Sequence, residues 1–148
     1  MTLKNHDDLQ HQNDLKFMKL AYRLAQRSED KGEVPIGAVV VGKNGEILAK
    51  ATNLRETVQS VLGHAELVAL HRASQNLKSW RLIDCTLYVT LEPCLMCAAA
   101  LVQARISRVV FATHDPKGGG LGSLTDLSND SRLNHRFSVH SGILQAEC

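Results

Sequence analysis

The sequence predicts an α/β sandwich built around a mixed sheet, and three observations carry that expectation. Short apolar runs and helical periods follow one another as strand, helix, strand, helix, strand in the second half of the chain. Asn44-Gly45 stands between two β-prone runs, a strong hairpin signal. The length of 148 residues, 44% of them hydrophobic, suits one domain. A chain of that size buries about two thirds of its unfolded surface.

The elements are read in order. Phe17, Leu20, Ala21, Leu24 and Ala25 repeat with a helical period, so a helix is expected over residues 14–31. Asn13 or Asp14 is placed to cap it and Gly32 to end it, which leaves residues 1–13 as a polar tail ahead of a single domain, 14–148. Strands are expected at 36–41 and 46–51, joined by an Asn-Gly turn with both positions at positive φ. A helix over 64–77 follows, then a strand at 86–91, a helix opened by Pro93 and running to 104, a strand at 108–112 and a short one at 137–140. Residues 116–122 hold four glycines and must form a loop, either a plain connection or backbone that can approach a ligand closely.

Bulk properties exclude some classes. No apolar stretch at the N-terminus resembles a signal peptide, and the longest apolar run, residues 94–102, is too short to cross a bilayer. A cytoplasmic protein without membrane attachment is expected. There, four cysteines are not expected as disulfides. Cys85 reads as a small buried hydrophobe and Cys148 as an exposed terminal residue. The formal charge of +2 permits a nucleic-acid partner without requiring one.

The chemistry sits in two short segments, His64-Ala65-Glu66 and Pro93-Cys94-Leu95-Met96-Cys97. One imidazole and two thiolates give three zinc ligands, and three protein ligands leave a fourth position for water, the mark of a catalytic site. Zinc brings the pKa of such a water to about 7. Cys-x-x-Cys at a helix start puts both sulfurs on one face, near N–H groups that favour thiolates. A redox pair would not need His-x-Glu upstream, and a closed four-cysteine site would need a second Cys-x-x-Cys. His71 lies two helical turns beyond His64, about 10.5 Å along the axis, too far to share an ion. Glu66 is the first candidate for moving protons, but i and i+2 face different ways on a regular helix. It reaches the metal only if His64 lies at the first turn, an entry Gly63 would permit. Glu92, beside the thiolates, is the competing carboxylate, and would otherwise be a solvent-exposed charge at a strand end.

His-x-Glu followed by Pro-Cys-x-x-Cys resembles the signature of the zinc nucleobase deaminases. Further phrases are similar to the bacterial tRNA-specific adenosine deaminases: Glu33-Val34-Pro35-Ile36-Gly37-Ala38-Val39, Arg81-Leu82-Ile83-Asp84, Thr86-Leu87-Tyr88-Val89-Thr90-Leu91-Glu92, Arg105-Ile106, Arg108-Val109-Val110-Phe111, Gly122-Ser123-Leu124 and Asn134-His135-Arg136. The likeness runs over residues 14–148. It implies a cytidine deaminase-like three-layer α/β/α sandwich around a mixed, roughly five-stranded sheet. It implies one Zn²⁺ per chain on His64, Cys94 and Cys97, with Glu66 as the catalytic proton shuttle. The reaction implied is hydrolytic deamination of the wobble adenosine, position 34 of tRNA, to inosine by zinc-bound hydroxide.

The resemblance also assigns base contacts to Asn53, the Ala65 N–H and the wall Pro35, Ile36, Gly37 and Ala38. Asp115 and Lys117, with His114, His135 and Arg136, are the candidate contacts to the tRNA anticodon loop. A homodimer is implied by the family alone. This chain differs from such relatives in having Gly63 where a residue such as alanine is usual, and in its approach to the histidine over residues 56–62. Relatives also continue past the position of Cys148 into a further helix that helps hold the RNA. Two competing readings stand beside this one: a zinc deaminase of a free base or nucleoside (guanine, cytosine or cytidine), and a catalytically silent zinc-stabilised RNA-binding module.

Overall fold

A computed structural model describes residues 3–148. Its helices and strands run α1 (Leu3–Asp30), β1 (Gly37–Val41), β2 (Ile47–Thr52), α2 (Arg55–Val58), α3 (Ala65–Leu77), β3 (Thr86–Leu91), α4 (Leu95–Gln103), β4 (Arg108–Thr113) and β5 (Ser138–Ser141), with a 3₁₀ turn at Leu127–Asn129 before β5. The strands form one mixed sheet in the order β2-β1-β3-β4-β5. β1 pairs antiparallel with both β2 and β3, whereas β3–β4 and β4–β5 are parallel. Helices cover both faces, so the expected three-layer sandwich with a five-stranded mixed sheet is what forms.

Side-chain alternation along the strands divides the core in two. Val39, Val41, Tyr88, Val110 and Ala112 face α1, meeting Phe17, Met18, Ala21 and Leu24. Their neighbours Ala38, Val40, Leu87, Val89, Val109 and Phe111 face α3 and α4, meeting Ala65, Ala69, Ala73, Ala98 and Leu101. The alanines on α3 and α4 let those helices lie close to the sheet. Both faces of β3 are covered, which is why it reads as an unbroken apolar run. Cys85 is buried in the second cluster and Cys148 is exposed.

Two details depart from the periodicity reading. α1 begins at Leu3 rather than near residue 14, and residues 5–13 are exposed on every side, so that stretch carries no apolar stripe from which helix could be read. Asp14 therefore does not cap α1. The hairpin turn also differs from a two-residue Asn-Gly turn. The Gly45 N–H bonds the Gly42 carbonyl at 3.1 Å, and the Gly42 N–H bonds the Glu46 carbonyl at 2.8 Å. Gly45 has φ 83° while Asn44 is not at positive φ. That is a three-residue loop, a type I turn closed by one left-handed residue. Gly37 sits where a Cβ would strike the Ala21 carbonyl and crowd the Ala25 N–H, which sets how closely α1 lies on β1.

Asp14 instead fastens α1 to the sheet. Its carboxylate accepts both guanidinium bonds of Arg108, at 2.8 and 2.7 Å, and the Tyr88 hydroxyl at 2.7 Å. Burial alone would raise this carboxyl, but Arg108 and Tyr88 outweigh it and hold the group below its ordinary 3.8. Removing one partner of a buried pair strands the other. Arg108→Ala should therefore cost about 3 kcal/mol of stability in urea unfolding at pH 7. The wild type should lose this contribution as pH falls through and below the ordinary 3.8, because the folded carboxyl titrates lower than the unfolded one. The variant should show that acid loss flattened or reversed.

Candidate active site

Two helices begin at the carboxyl end of β3, and each begins on a residue that can bind a metal. His64 is the N-cap of α3 (φ −70°, ψ 139°) and Cys94 the N-cap of α4 (φ −70°, ψ 175°). Pro93 thus precedes the cap instead of occupying the first helical turn. Cys97 follows in the first turn of α4 and is buried. The His64 Nδ1 lies 3.6 Å from the Cys94 Sγ and 3.4 Å from the Cys97 Sγ. All three ligand atoms lie within 4.8 Å of one another. A tetrahedral zinc with bonds of about 2.3 Å to sulfur and 2.0 Å to nitrogen has nitrogen–sulfur edges of roughly 3.5 Å. The donor set therefore fits zinc in both chemistry and spacing. His71 is exposed and Glu92 is turned elsewhere; neither belongs to this group.

The thiols are unequal. A hydrogen bond from the Cys97 thiol, with N–H groups of Cys97 and Met96 and the nearby His64, holds Cys94 down at about 5 against the opposing effect of burial. Cys97 is shifted up, first because its proton is the one shared with Cys94 and then by burial. A bound cation would displace that shared proton.

Glu66 is the second residue of α3 and is buried. Because His64 is extended and outside the helix, the i, i+2 objection does not apply, and the carboxylate turns toward the two sulfurs. Its Oε1 is the one buried side-chain oxygen or nitrogen among the described residues with no hydrogen-bond partner. Leaving such an atom unpaired is costly, so a carboxylate held this way has its acceptor capacity reserved. Burial, reinforced by Cys94, lifts its pKa to about 7, against lowering by its own N–H and by His64.

A tied loop brings Asn53 beside this group. The Leu54 N–H bonds the Gly63 carbonyl at 2.7 Å, closing the neck of the 54–63 loop. A Cβ on Gly63 would lie 2.7 Å from the Arg55 nitrogen and 2.8 Å from the Leu54 carbonyl carbon. Glycine at that position therefore belongs with this chain's own approach to the histidine. Asn53 Oδ1 accepts the Arg55 N–H at 3.0 Å, a turn-forming bond, while its amide NH₂ has no protein acceptor among the described residues. The buried Glu33, missed by sequence reasoning, braces the same loop. It accepts the N–H groups of Glu56 and Thr57 at 3.0 and 2.7 Å and the Thr57 hydroxyl at 2.6 Å.

The remaining candidates are placed unequally. Ala65 is the first residue of α3, so its N–H has no helical acceptor. Ala38 lies in the core cluster with Ala65, whereas Gly37 faces α1. Pro35 and Ile36 line a separate cavity of about 370 Å³ with Tyr22, Gln26 and Thr90, which none of the metal-binding residues touches. Asp115 and Lys117 lie on the glycine-rich loop, which reaches the ligands through a bridge between Gly119 and Cys94. His135 bonds the Ile106 carbonyl at 2.7 Å, at the opposite end of β4, so His135 and Arg136 are not brought to the metal end. Glu92 is not a solvent-exposed charge. It is buried, and its oxygens are taken up by loop donors.

The MafB19-like deaminase family matches this sequence over residues 12–147. The tRNA-specific adenosine deaminase of Bacillus subtilis (strain 168) is 53% identical over 132 residues, covering 89% of this chain and 81% of that protein. A solved structure from studies of A-to-I editing by tRNA:A34 deaminases at the wobble position of transfer RNA superposes with a TM-score of 0.86 at 39% identity, over 89% of this chain and 95% of that one. A guanine deaminase from Bacillus subtilis is similar to a lesser degree, with a TM-score of 0.65 and 37% identity over 67% of this chain and 63% of that one.

The ligand geometry sets a direct expectation. Supplied with zinc, the wild type should retain one ion per chain by elemental analysis and melt at a higher temperature than the metal-free protein. Cys94→Ser should hold substoichiometric zinc and show no zinc-dependent rise in melting temperature, because ligands from separate segments couple binding to folding.

Proposed function

As a member of the tRNA-specific adenosine deaminase family, this chain, we propose, hydrolytically deaminates the wobble adenosine (position 34) of tRNA to inosine. The observation that carries the reading is the unpartnered, buried Glu66 Oε1 set against a His–Cys–Cys group of zinc spacing. A structural metal site has no use for such a carboxylate, which argues against a silent RNA-binding module.

His64, Cys94 and Cys97 would hold one zinc ion, which when bound supplies a water acidified to a pKa of about 7. Glu66 receives the proton that the attacking water gives up and passes it to ring N1 of the adenine. Once the C6–oxygen bond has formed, the same carboxyl takes the second proton, from that new hydroxyl, and gives it to the amine as the C6–nitrogen bond breaks, so adenosine and water become inosine and ammonia. A group whose pKa sits near 7 is suited to both halves of that exchange. The Ala65 N–H, without a helical acceptor at the start of α3, is the donor offered to the charge that develops on the base. The unused NH₂ of Asn53 supplies a donor for the polar edge of the base. Ala38 closes the pocket from the sheet, with Pro35, Ile36 and Gly37 leading into the strand that carries it.

Entering such a pocket requires the nucleotide to leave its stack, which costs least in an unpaired loop. The anticodon loop meets that condition, and Asp115 and Lys117 are proposed to contact it. No helix among the described residues is long and apolar enough to cross a membrane. A cytoplasmic homodimer is proposed with the family. Exposed Val61, Leu62, Leu95 and Met96, close in sequence to the ligands, support a second copy covering this side.

Incubating the zinc-loaded protein with an anticodon stem-loop carrying A34, and separately with guanine, cytosine and cytidine, tests the assignment by mass spectrometry. Inosine should form in the RNA while the free compounds persist; consumption of a free base with the RNA untouched would overturn it. Glu66→Ala should lower turnover by about 10²–10⁴-fold while retaining one zinc per chain.

A further inference from the structure

One buried carboxylate lies against the site without taking part in the chemistry. The Glu92 side chain is fully enclosed and accepts the N–H groups of Asp115, Leu121 and Ser123 at 3.0, 3.0 and 3.1 Å. The Ser123 hydroxyl also bonds it, and the His114 Nδ1 lies 3.2 Å away. A single side chain thus gathers donors from residues 114 to 123. Burying an ionised carboxylate is tolerated only with this degree of hydrogen bonding, so loop and carboxylate depend on each other.

Glycines bring the same loop against the ligand-bearing turn. A Cβ on Gly119 would fall on the Glu92 carboxylate, and one on Gly120 would lie 2.9 Å from the Ala98 Cβ and 3.2 Å from the Leu95 Cα. The Gly120 N–H bonds the Pro93 carbonyl at 2.8 Å, and Gly119 pairs with Cys94 itself. The outer turn is stiffened locally, since Asp115 Oδ1 accepts the Lys117 and Gly118 N–H groups at 3.1 and 3.3 Å. Glu92 is two residues from Cys94 in the chain, so the strap and the metal ligand belong to one rigid unit.

We propose that Glu92 is a positioning residue for substrate RNA: it fixes residues 114–123 against Cys94, so that the turn at 115–118, exposed at Pro116 and Lys117, meets the nucleotides flanking the reacting base at a set distance. This rests on the tRNA reading above. A loop already ordered before binding loses little freedom on binding, and loosening it weakens substrate capture more than the chemical step.

Steady-state kinetics on the A34 stem-loop separates the two effects. Glu92→Gln turns an amide NH₂ toward N–H donors; it should keep its zinc and raise KM about tenfold, with kcat within about threefold of the wild type. Ser123→Ala removes one donor and should raise KM in the same direction but less strongly, and Gly119→Ala, whose Cβ displaces the carboxylate, should raise it at least as much, even where Glu92→Gln fails to fold. Amide exchange at Asp115, Leu121 and Ser123 should quicken in each folded variant. An unchanged KM in Ser123→Ala and Gly119→Ala, or a fall in kcat with KM unaltered, would overturn the positioning role. A wild type that makes no inosine would instead bring down the tRNA reading and this proposal with it.

Discussion

Everything at the reactive end of this molecule depends on two helix N-termini meeting at the carboxyl end of β3. The positive ends of α3 and α4 converge where two sulfurs and the Glu66 carboxylate are packed together. Without that convergence, Cys94 would lose the N–H groups of Met96 and Cys97 that help hold it low, and His64 would not meet the sulfurs. The sheet exists, in functional terms, to hold the two helix starts in register. β3 delivers Cys94 directly, while β2 delivers His64 through the 54–63 loop.

That division explains where the buried carboxylates lie. Glu33 braces the loop on the histidine side, and Glu92 braces the loop on the cysteine side. Glu92 satisfies several loop N–H groups at once, and Glu33 satisfies first-turn N–H groups of α2, donors that have no acceptor within a strand or helix. Asp14 does comparable work at the far end of the sheet, though with side-chain partners from β3 and β4. Three acids that composition alone would assign to the surface are internal fasteners.

How much of this could be read from the residues follows from the kind of force involved. The sandwich was readable because apolar periodicity reports burial directly: each strand from β1 to β5 and the helices α3 and α4 lie within two residues of the expected bounds. The His64, Cys94 and Cys97 grouping was readable because metal chemistry demands unusual residue types at set spacing. The start of α1 was not, since residues 5–13 are helical without an apolar face. The hairpin turn was half read, because Asn-Gly signals a reversal but its type is set by which residues close the loop, here Gly42 and Glu46. Glu33 and Glu92 were hidden for a further reason. A buried acid differs from an exposed one only by its partners, and those partners are backbone groups that leave no trace in residue identity. The crowded glycines, Gly63 and Gly119, were the available sign.

The same helix starts carry a cost in thermodynamic terms. Neither α3 nor α4 has a side-chain cap hydrogen bond, because the positions that usually hold serine, aspartate or asparagine hold a histidine and a cysteine. A missing cap is worth about 1 kcal/mol per helix. The architecture is thus weakest where it reacts, and a sequence selected only for robustness would drift toward ordinary caps there and lose its chemistry. Durability and activity compete for the same two positions.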